Sequence, residues 1–518
     1  MGKEALRLPR GLRDFPPDEM AKMAYVEEKV RCLLELYGYQ EVRTPIFERF
    51  DLFALRSGEE IRSRMFVFTT DEGEMALRPE ITAPIARMVA TGKLDLSKKP
   101  IKLYYIGPCY RYDEPQAGRY REFWQAGVEL IGSPHPEADA EVVKLAVRVV
   151  EDLGLKGYVL RIGDMAILRA YLAQQGIPEE VANRIIGPLD TLASSLDKLR
   201  SYKLKLSSGR PLSRDELADL IRRCDEVRSW KEEELNRMEL GESPIPSSYG
   251  GLLEPDPRVY RMRELHEGGA FEELCDIIGR KMAELTAMFK LRLAYYGIPH
   301  GGGRPFRMPG EVLDKLLSLM SISGRRDEAL AAVEELLGTS GRVGEAISRF
   351  REVLEALSWF GLNGGGYVVD MGVVRGLEYY TGMVFEIDFP LLGAQKQVCG
   401  GGRYDKLIEE FGGPGLPAVG FAFGLDRLVL AMERSGVPIP ARPRCYIYVV
   451  PVGREVLGDA IGVAEELRSA GLRAEVSLMR RRLGEELSQA ARLGARLAVI
   501  VGPRELEAGK VVLRDLST

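Results

Sequence analysis

Apolar residues recur at helical spacing after Pro16-Pro17-Asp18-Glu19, and the pattern holds to about Tyr37, where Gly38 ends it. Beyond that glycine, Tyr39–Pro45 reads as a strand closed by proline. Further strands are predicted at Met65–Thr69, Lys102–Tyr105 and Gln125–Ile131, before a helix from Pro136 to about Leu153. From residue 164 to about 360 the period turns mostly helical, as over Arg214–Met238, Ala270–Tyr296, Pro309–Met320 and Asp327–Leu337. Turn-rich stretches at Leu240–Pro257 and Gly297–Pro309 interrupt it. Strand signals return at Gly366–Val373, Met383–Asp388 and Gln395–Gly400, followed by an apolar helix over Gly424–Arg434 and a proline-rich linker, Pro438–Pro443. Beyond the linker, Cys445–Val450, Glu455–Ala470, Arg473–Ser477, Gly484–Leu493 and Arg496–Val501 alternate strand and helix. That alternation predicts a small α/β domain with parallel strands.

The 518 residues suggest about three domains. A net charge of −5 excludes a uniformly basic nucleic-acid coat, yet residues 441–518 carry a net +3 against −8 for the rest. The six cysteines are scattered without a CxxC, which argues against a zinc ribbon or a disulfide framework. His135, His266 and His300 are too dispersed for a His-based metal site or triad, so no protein metal site is expected. Chemistry falls to arginine, carboxylates, tyrosine and backbone. No stretch approaches the ~18 apolar residues of a membrane span, and the first residues lack an apolar leader. No membrane partner and a cytoplasmic location are expected.

Four segments concentrate polar chemistry. In Tyr110–Gln125, two strand-like pieces flank a turn with Pro115, Gln116 and Gly118, and alternation lets Arg111 and Phe123 flank one surface. Arg119 and Arg121 lie on the connection, and Gln125 and Glu129 share a strand face. An arginine fork suits phosphate oxygens and an aromatic face suits a base, though a solvated hairpin fits the same residues. Val374–Gly382 sets Arg375, Tyr379 and Tyr380 among glycines, a polar pocket wall or a core tyrosine pair. Gly400-Gly401-Gly402-Arg403-Tyr404-Asp405 places three glycines after a strand, permitting close backbone contact with a ligand, or a bulge. Gly420–Leu428 reads as strand, glycine, helix, with Asp426 and Arg427 either a capping ion pair or a phosphate-facing arginine. The Gly301-Gly302-Gly303 run has no preceding strand and no following Lys-Ser/Thr, and reads as a loop.

Taken in order, these segments resemble the class II aminoacyl-tRNA synthetases, and within them the histidyl-tRNA synthetase family. Gly38–Pro45 resembles motif 1, Tyr110–Glu129 motif 2 and Gly420–Leu428 motif 3. Arg375-Gly-Leu-Glu-Tyr-Tyr-Thr-Gly382 and Gly400–Asp405 are similar to two signatures of the histidyl branch. The resemblance implies an α+β fold: an antiparallel catalytic sheet flanked by helices, a helical insertion and a C-terminal α/β anticodon-binding domain. It implies catalytic-core parts at 1–163 and 361–437, the insertion at 164–360 and the anticodon-binding domain at 441–518.

The same resemblance implies a histidine–tRNA ligase acting through a histidyl-adenylate, with ATP, Mg²⁺, L-histidine and tRNA(His) as partners, in a homodimer. Arg111 would meet the ATP α-phosphate, Phe123 the adenine and Arg427 the γ-phosphate, with Arg375 a second cation at the reacting groups. Glu80, Thr82 and Gln125 would hold the α-amino end of histidine. Glu129 and Tyr380 would address its imidazole, with Tyr379 and Tyr404 completing the wall. Gln116 and Arg119 on the motif 2 connection, and Arg480, Arg481 and Arg482 in the last domain, are the expected tRNA contacts. Departures from the pattern are Glu378, where Asp is usual, Ile81, where many relatives carry Gly, and Glu114, where some relatives carry Arg. Non-catalytic relatives that regulate ATP phosphoribosyltransferase typically lose adenylation residues that are present here.

Overall fold

The structure, a computed structural model, describes residues 6–54, 64–115, 118–214, 216–224, 257–298, 305–373, 379–440, 445–479 and 481–516. Contacts divide the chain into two compact units, one of Met1–Phe15 with Met23–Ile439, the other of Pro16–Lys22 with Pro440–Thr518. The first unit's strands are β1 (Gln40–Glu41), β2 (Phe47–Arg49), β3 (Val67–Thr70), β4 (Gly73–Leu77), β5 (Ile101–Tyr110) and β6 (Glu122–Ile131). They continue with β7 (Val159–Asp164), β8 (Ser323–Gly324), β9 (Val368–Asp370), β10 (Met383–Asp388), β11 (Gln397–Arg403) and β12 (Ala418–Gly424).

Among the described residues, nine of these strands form one sheet in the order β1-β5-β6-β12-β11-β10-β7-β9-β8. Within it, only β1–β5 and β7–β9 are parallel. A separate antiparallel sheet, β2-β4-β3, accompanies it. The expected antiparallel catalytic-type sheet is therefore present, and β8, inside the mostly helical 164–360 stretch, extends it.

Local chemistry explains the elements. The Pro17–Leu36 helix starts with proline and two acids in its first turn, and buries Met23, Val26, Val30, Leu33 and Leu34 at helical spacing. Gly38, at φ +81°, ends it, its N–H and that of Tyr39 meeting the carbonyls of Glu35 and Leu34. β5 outruns the predicted Lys102–Tyr105 because it pairs with β6 along its whole length, Ile101 against Ile131 to Tyr110 against Glu122. Gly107-Pro108 hides this in the sequence. Pro108 is tolerated because β1 pairs only with Leu103 and Tyr104, while Arg78 covers the open edge, donating to the Pro108 carbonyl at 2.8 Å.

One reading is corrected. The glycine run lies inside β11 rather than after a strand. A Cβ on Gly401 would meet Gly420 O at 2.2 Å, and one on Gly402 would meet Met383 O at 2.6 Å, so these two glycines serve sheet packing. Ile81 is buried in the core and does not border the cleft described below. The helices Glu179–Ser207 and Phe271–Leu291 pack on each other. Part of Arg214–Met238, most of Leu240–Pro257, and Gly301–Gly303 lie outside the described residues.

The second unit contains β13 (Ile447–Pro451), β14 (Ala474–Val476), β15 (Leu497–Val501) and β16 (Val512–Asp515), in the order β14-β13-β15-β16. β13 is parallel to both neighbours, as predicted, and β16 adds an antiparallel edge. No helix among the described residues is long and apolar enough to cross a membrane.

Candidate active site

The floor of a cleft in the first unit is made by β5, β6, β12 and β11. Phe123, Gln125 and Glu129 project from one face of β6, and the β12 residues paired with Gln125, Gly127 and Glu129 are Gly424, Ala422 and Gly420. Small residues opposite large functional ones keep the floor open. The cavity within the cleft is about 160 Å³.

At one end, Glu129 is 1% exposed. Thr82 Oγ1 donates to its Oε1 at 2.7 Å, and the Tyr404 hydroxyl donates to its Oε2. Burial, helped by nearby Glu80, pushes Glu129 up to about 8 against the pull of those hydrogen bonds. Tyr379 stacks obliquely on Tyr380, with centroids 4.9 Å apart, and meets Tyr404 edge-on at 5.7 Å. Glu80 accepts the N–H groups of Thr82 (2.6 Å) and Ala83 (3.0 Å) at the start of the Thr82–Ala90 helix. Burial raises its pKa and the two backbone donors oppose the shift. The preceding Arg78 anchors this segment by donating to the Thr44 and Pro45 carbonyls.

At the other end, Arg111, Arg119 and Arg427 converge on the cleft. Arg111 donates to Pro79 O at 2.9 Å and lies over the Phe123 ring, 5.2 Å from its centroid. Arg119 pairs with buried Asp113 at 2.9 Å. Arg427 donates to Gly118 O (3.0 Å) and Gln397 O (2.7 Å). Burial, then Arg119 and Arg111, lower Arg427 to about 10. Converging guanidinium groups with that depression form a site suited to an anion.

Eleven sequence-derived candidates thus meet in one cleft: Glu80, Thr82, Arg111, Arg119, Phe123, Gln125, Glu129, Tyr379, Tyr380, Tyr404 and Arg427. Arg481 and Arg482 belong to the second unit, and Arg375, Gln116 and Arg480 lie outside the described residues. The capping ion pair considered for residues 426 and 427 is not formed; Asp426 instead pairs with Arg13. Sequence reasoning passes over Tyr105, Tyr120 and Gln397, which also line the cleft. The alternation of β5 carries a signal for Tyr105, whose hydroxyl lies where a Cβ on Gly127 would sit.

A family model described as histidyl-tRNA synthetase matches residues 11–209 and 270–428, well over half the chain. The chain belongs to the histidyl-tRNA synthetase family. An anticodon binding domain model matches residues 446–518. The chain is similar to the histidine–tRNA ligase of Pyrococcus abyssi, 34% identical over 98% of this chain and 94% of that protein. It is equally similar to that of Methanocaldococcus jannaschii, 34% identical over 98% and 95%. The fold is shared with a solved histidyl-tRNA synthetase from Nostoc, with a TM-score of 0.64 at 20% identity, covering 99% of this chain and 95% of that one. The histidyl-tRNA synthetase core thus includes both the recess around Glu129 and the arginine end.

Proposed function

We propose that the cleft joins L-histidine to tRNA(His) in two ATP-driven steps. The observation that carries this reading is one cleft with a carboxylate-and-hydroxyl recess at one end and converging arginines at the other. In the first step a carboxylate oxygen of histidine attacks the α-phosphorus of ATP. The bond to the β-phosphate oxygen breaks and pyrophosphate leaves. Arg111 and Arg427 stabilise charge on the phosphates, with Arg375 assigned from the family signature, and Phe123 stacks on the adenine. In the second step a ribose hydroxyl at the tRNA 3′ end attacks the acyl carbon, and AMP leaves.

Glu129 and Tyr380 select the imidazole, with Tyr379 and Tyr404 as walls, while Glu80, Thr82 and Gln125 hold the amino end. A recess of buried polar groups rejects apolar analogues because they would leave those groups unpaired. Mg²⁺ bound with ATP would neutralise charge on the phosphates, and the carboxylates that line the arginine end, Asp113 and Asp426, are engaged by Arg119 and Arg13. Residues 1–163 and 361–437 form the catalytic core and 164–360 the insertion. Residues 441–518 take the anticodon side, with Arg480–Arg482 as the basic contacts there, and Gln116 and Arg119 on the motif 2 connection are the contacts for the acceptor end of the tRNA. The enzyme acts as a cytoplasmic homodimer, and sedimentation as a monomer would count against that.

Histidine-dependent ATP–pyrophosphate exchange, followed by charging of tRNA(His), tests the reading. No exchange with any amino acid would sink the enzyme assignment, and exchange with another amino acid would sink the specificity.

A further inference from the structure

The N-terminal segment Pro9–Phe15 packs on the arginine end of the cleft. Arg121 N–H donates to Gly11 O at 2.9 Å. The φ of +86° at Gly11 leaves room for the Arg121 methylenes and Pro115, which a Cβ there would meet at 2.7–3.0 Å. Two residues on, the Arg13 guanidinium lies over the rings of Phe15 and Tyr120, 4.3 and 4.0 Å from their centroids. It also forms an ion pair with Asp426, whose side chain is only 2% exposed. The same carboxylate accepts the Trp124 N–H at 2.8 Å.

Asp426 and Arg427 are neighbours in the first turn of the Leu425–Arg434 helix. A buried carboxylate needs a cation or a proton. Arg119 is already taken by Asp113, and the Asp426 carboxylate acts electrostatically on Arg427, so without Arg13 its uncompensated charge would fall on Arg427. With Arg13 in place, Asp426 is neutralised from the N-terminal segment. The hydrogen bonds of Arg427 then go to the carbonyls of Gly118 and Gln397, and its charge faces the cleft beside Arg111 and Arg119.

We propose that Arg13 is a positioning residue for nucleotide binding: it takes up the charge of Asp426 so that Arg427 stays available to a polyphosphate. This rests on the nucleotide reading of the cleft given above. It predicts an effect confined to ATP, because the contacts of Arg13 all lie at the arginine end and none reaches the Glu129 recess.

The test titrates the full-length chain with MgATP and, separately, with histidine. Arg13→Gln should weaken ATP binding by about tenfold or more while changing histidine binding by less than about twofold. In Arg13→Gln/Asp426→Asn the orphaned carboxylate is removed as well, and about fivefold or more of the lost ATP affinity should return, since coupled residues are not additive. ATP binding by Arg13→Gln equal to the parent's overturns the proposal. So does a double variant that binds ATP no better than Arg13→Gln, which would make Arg13 a brace of the fold only. Should the glutamine variant not fold, Arg13→Lys decides, because it keeps the charge without the planar fork. Loss within about threefold supports charge neutralisation, and loss beyond about tenfold refutes it. A parent chain that binds ATP but lacks histidine-dependent exchange would sink the ligase reading and leave this comparison standing.

Discussion

Gly420 pairs with Glu129 across the β6–β12 ladder, and the Glu129 carboxylate occupies the space a side chain on Gly420 would need. A Cβ there would lie 1.9 Å from Glu129 Oε2 and 2.3 Å from Val128 O, and the latter is backbone that cannot swing away. Gly420→Ala should therefore cost about 1–3 kcal/mol in denaturant melts and raise the KM for histidine in exchange assays. Gly462, exposed within the Leu457–Ser469 helix, serves as the contrast, since a Cβ added there would have nothing within 4 Å. At that position the same change should stabilise by about 0.5–1 kcal/mol, because alanine is the better helix former. Equal effects at the two sites would refute the steric account.

Glu129 itself should impose a pH dependence. Burial, with Glu80 adding to it, raises it from an ordinary 4.5 to about 8. The folded state therefore holds a proton that the unfolded chain has already lost. The associated stability is fully present below about pH 4.5 and is lost as pH rises through about 8. Glu129→Gln cannot ionise, so its melting temperature should fall less than the parent's between about pH 5 and pH 9. The same variant should raise the KM for histidine by about 10–100-fold, the loss expected when a buried hydrogen-bond partner is replaced by one that leaves a polar group unsatisfied, with the KM for ATP little changed. Parallel pH profiles of stability, or an ATP effect as large as the histidine effect, would contradict this assignment.

The arginine end should respond to polyanions even without an amino acid. Arg427 is depressed by burial and by Arg119 and Arg111, a repulsion that an anion relieves. ATP or inorganic tripolyphosphate at about a hundred times its Kd should stabilise the chain by about 2.7 kcal/mol. Arg427→Met should lose most of that gain. A melting temperature unmoved by tripolyphosphate would rule out an anion site there.

These elements are legible in the sequence unevenly, for physical reasons. Met383–Asp388 appears in the structure with the predicted ends because Met383, Val384, Phe385 and Ile387 make a short apolar run, broken only by Glu386, of the kind a strand buried on both faces carries. β7 escapes a sequence reading because Arg161 sits in its middle, and a charge argues against a central strand. In the fold that charge is met by Asp370, Glu386 and Asp388, which sit more than 200 positions later in the chain. The cleft residues are legible because motif order and spacing carry them, as with Arg111 and Phe123 across one hairpin. The pairing of Arg13 with Asp426 is not, because no local pattern links residues 413 positions apart. Pairing by contact rather than by sequence also explains why Asp426 and Arg427, adjacent in the chain, do not neutralise each other.

The last prediction concerns the second unit, where the proposed contact with tRNA rests on basic side chains. Arg481 and Arg482 sit between β14 and the Leu483–Arg492 helix, with Arg482 exposed and Arg481 half-buried. The turn is fixed by the Arg481 N–H donating to Glu486 at 2.8 Å, and Glu486 in turn accepts the Tyr448 hydroxyl at 3.1 Å. The backbone should therefore survive loss of both guanidinium groups, so a changed affinity would report on contact with RNA and not on unfolding. Each phosphate contact removed should flatten the plot of log affinity against log salt by about 0.7–0.9. Arg481→Ala/Arg482→Ala should thus reduce the slope for tRNA(His) by about 1.5 while leaving ATP–pyrophosphate exchange intact, since the exchange chemistry lies in the other unit. An unchanged slope in binding measured over a range of salt concentrations would remove these arginines from the tRNA surface.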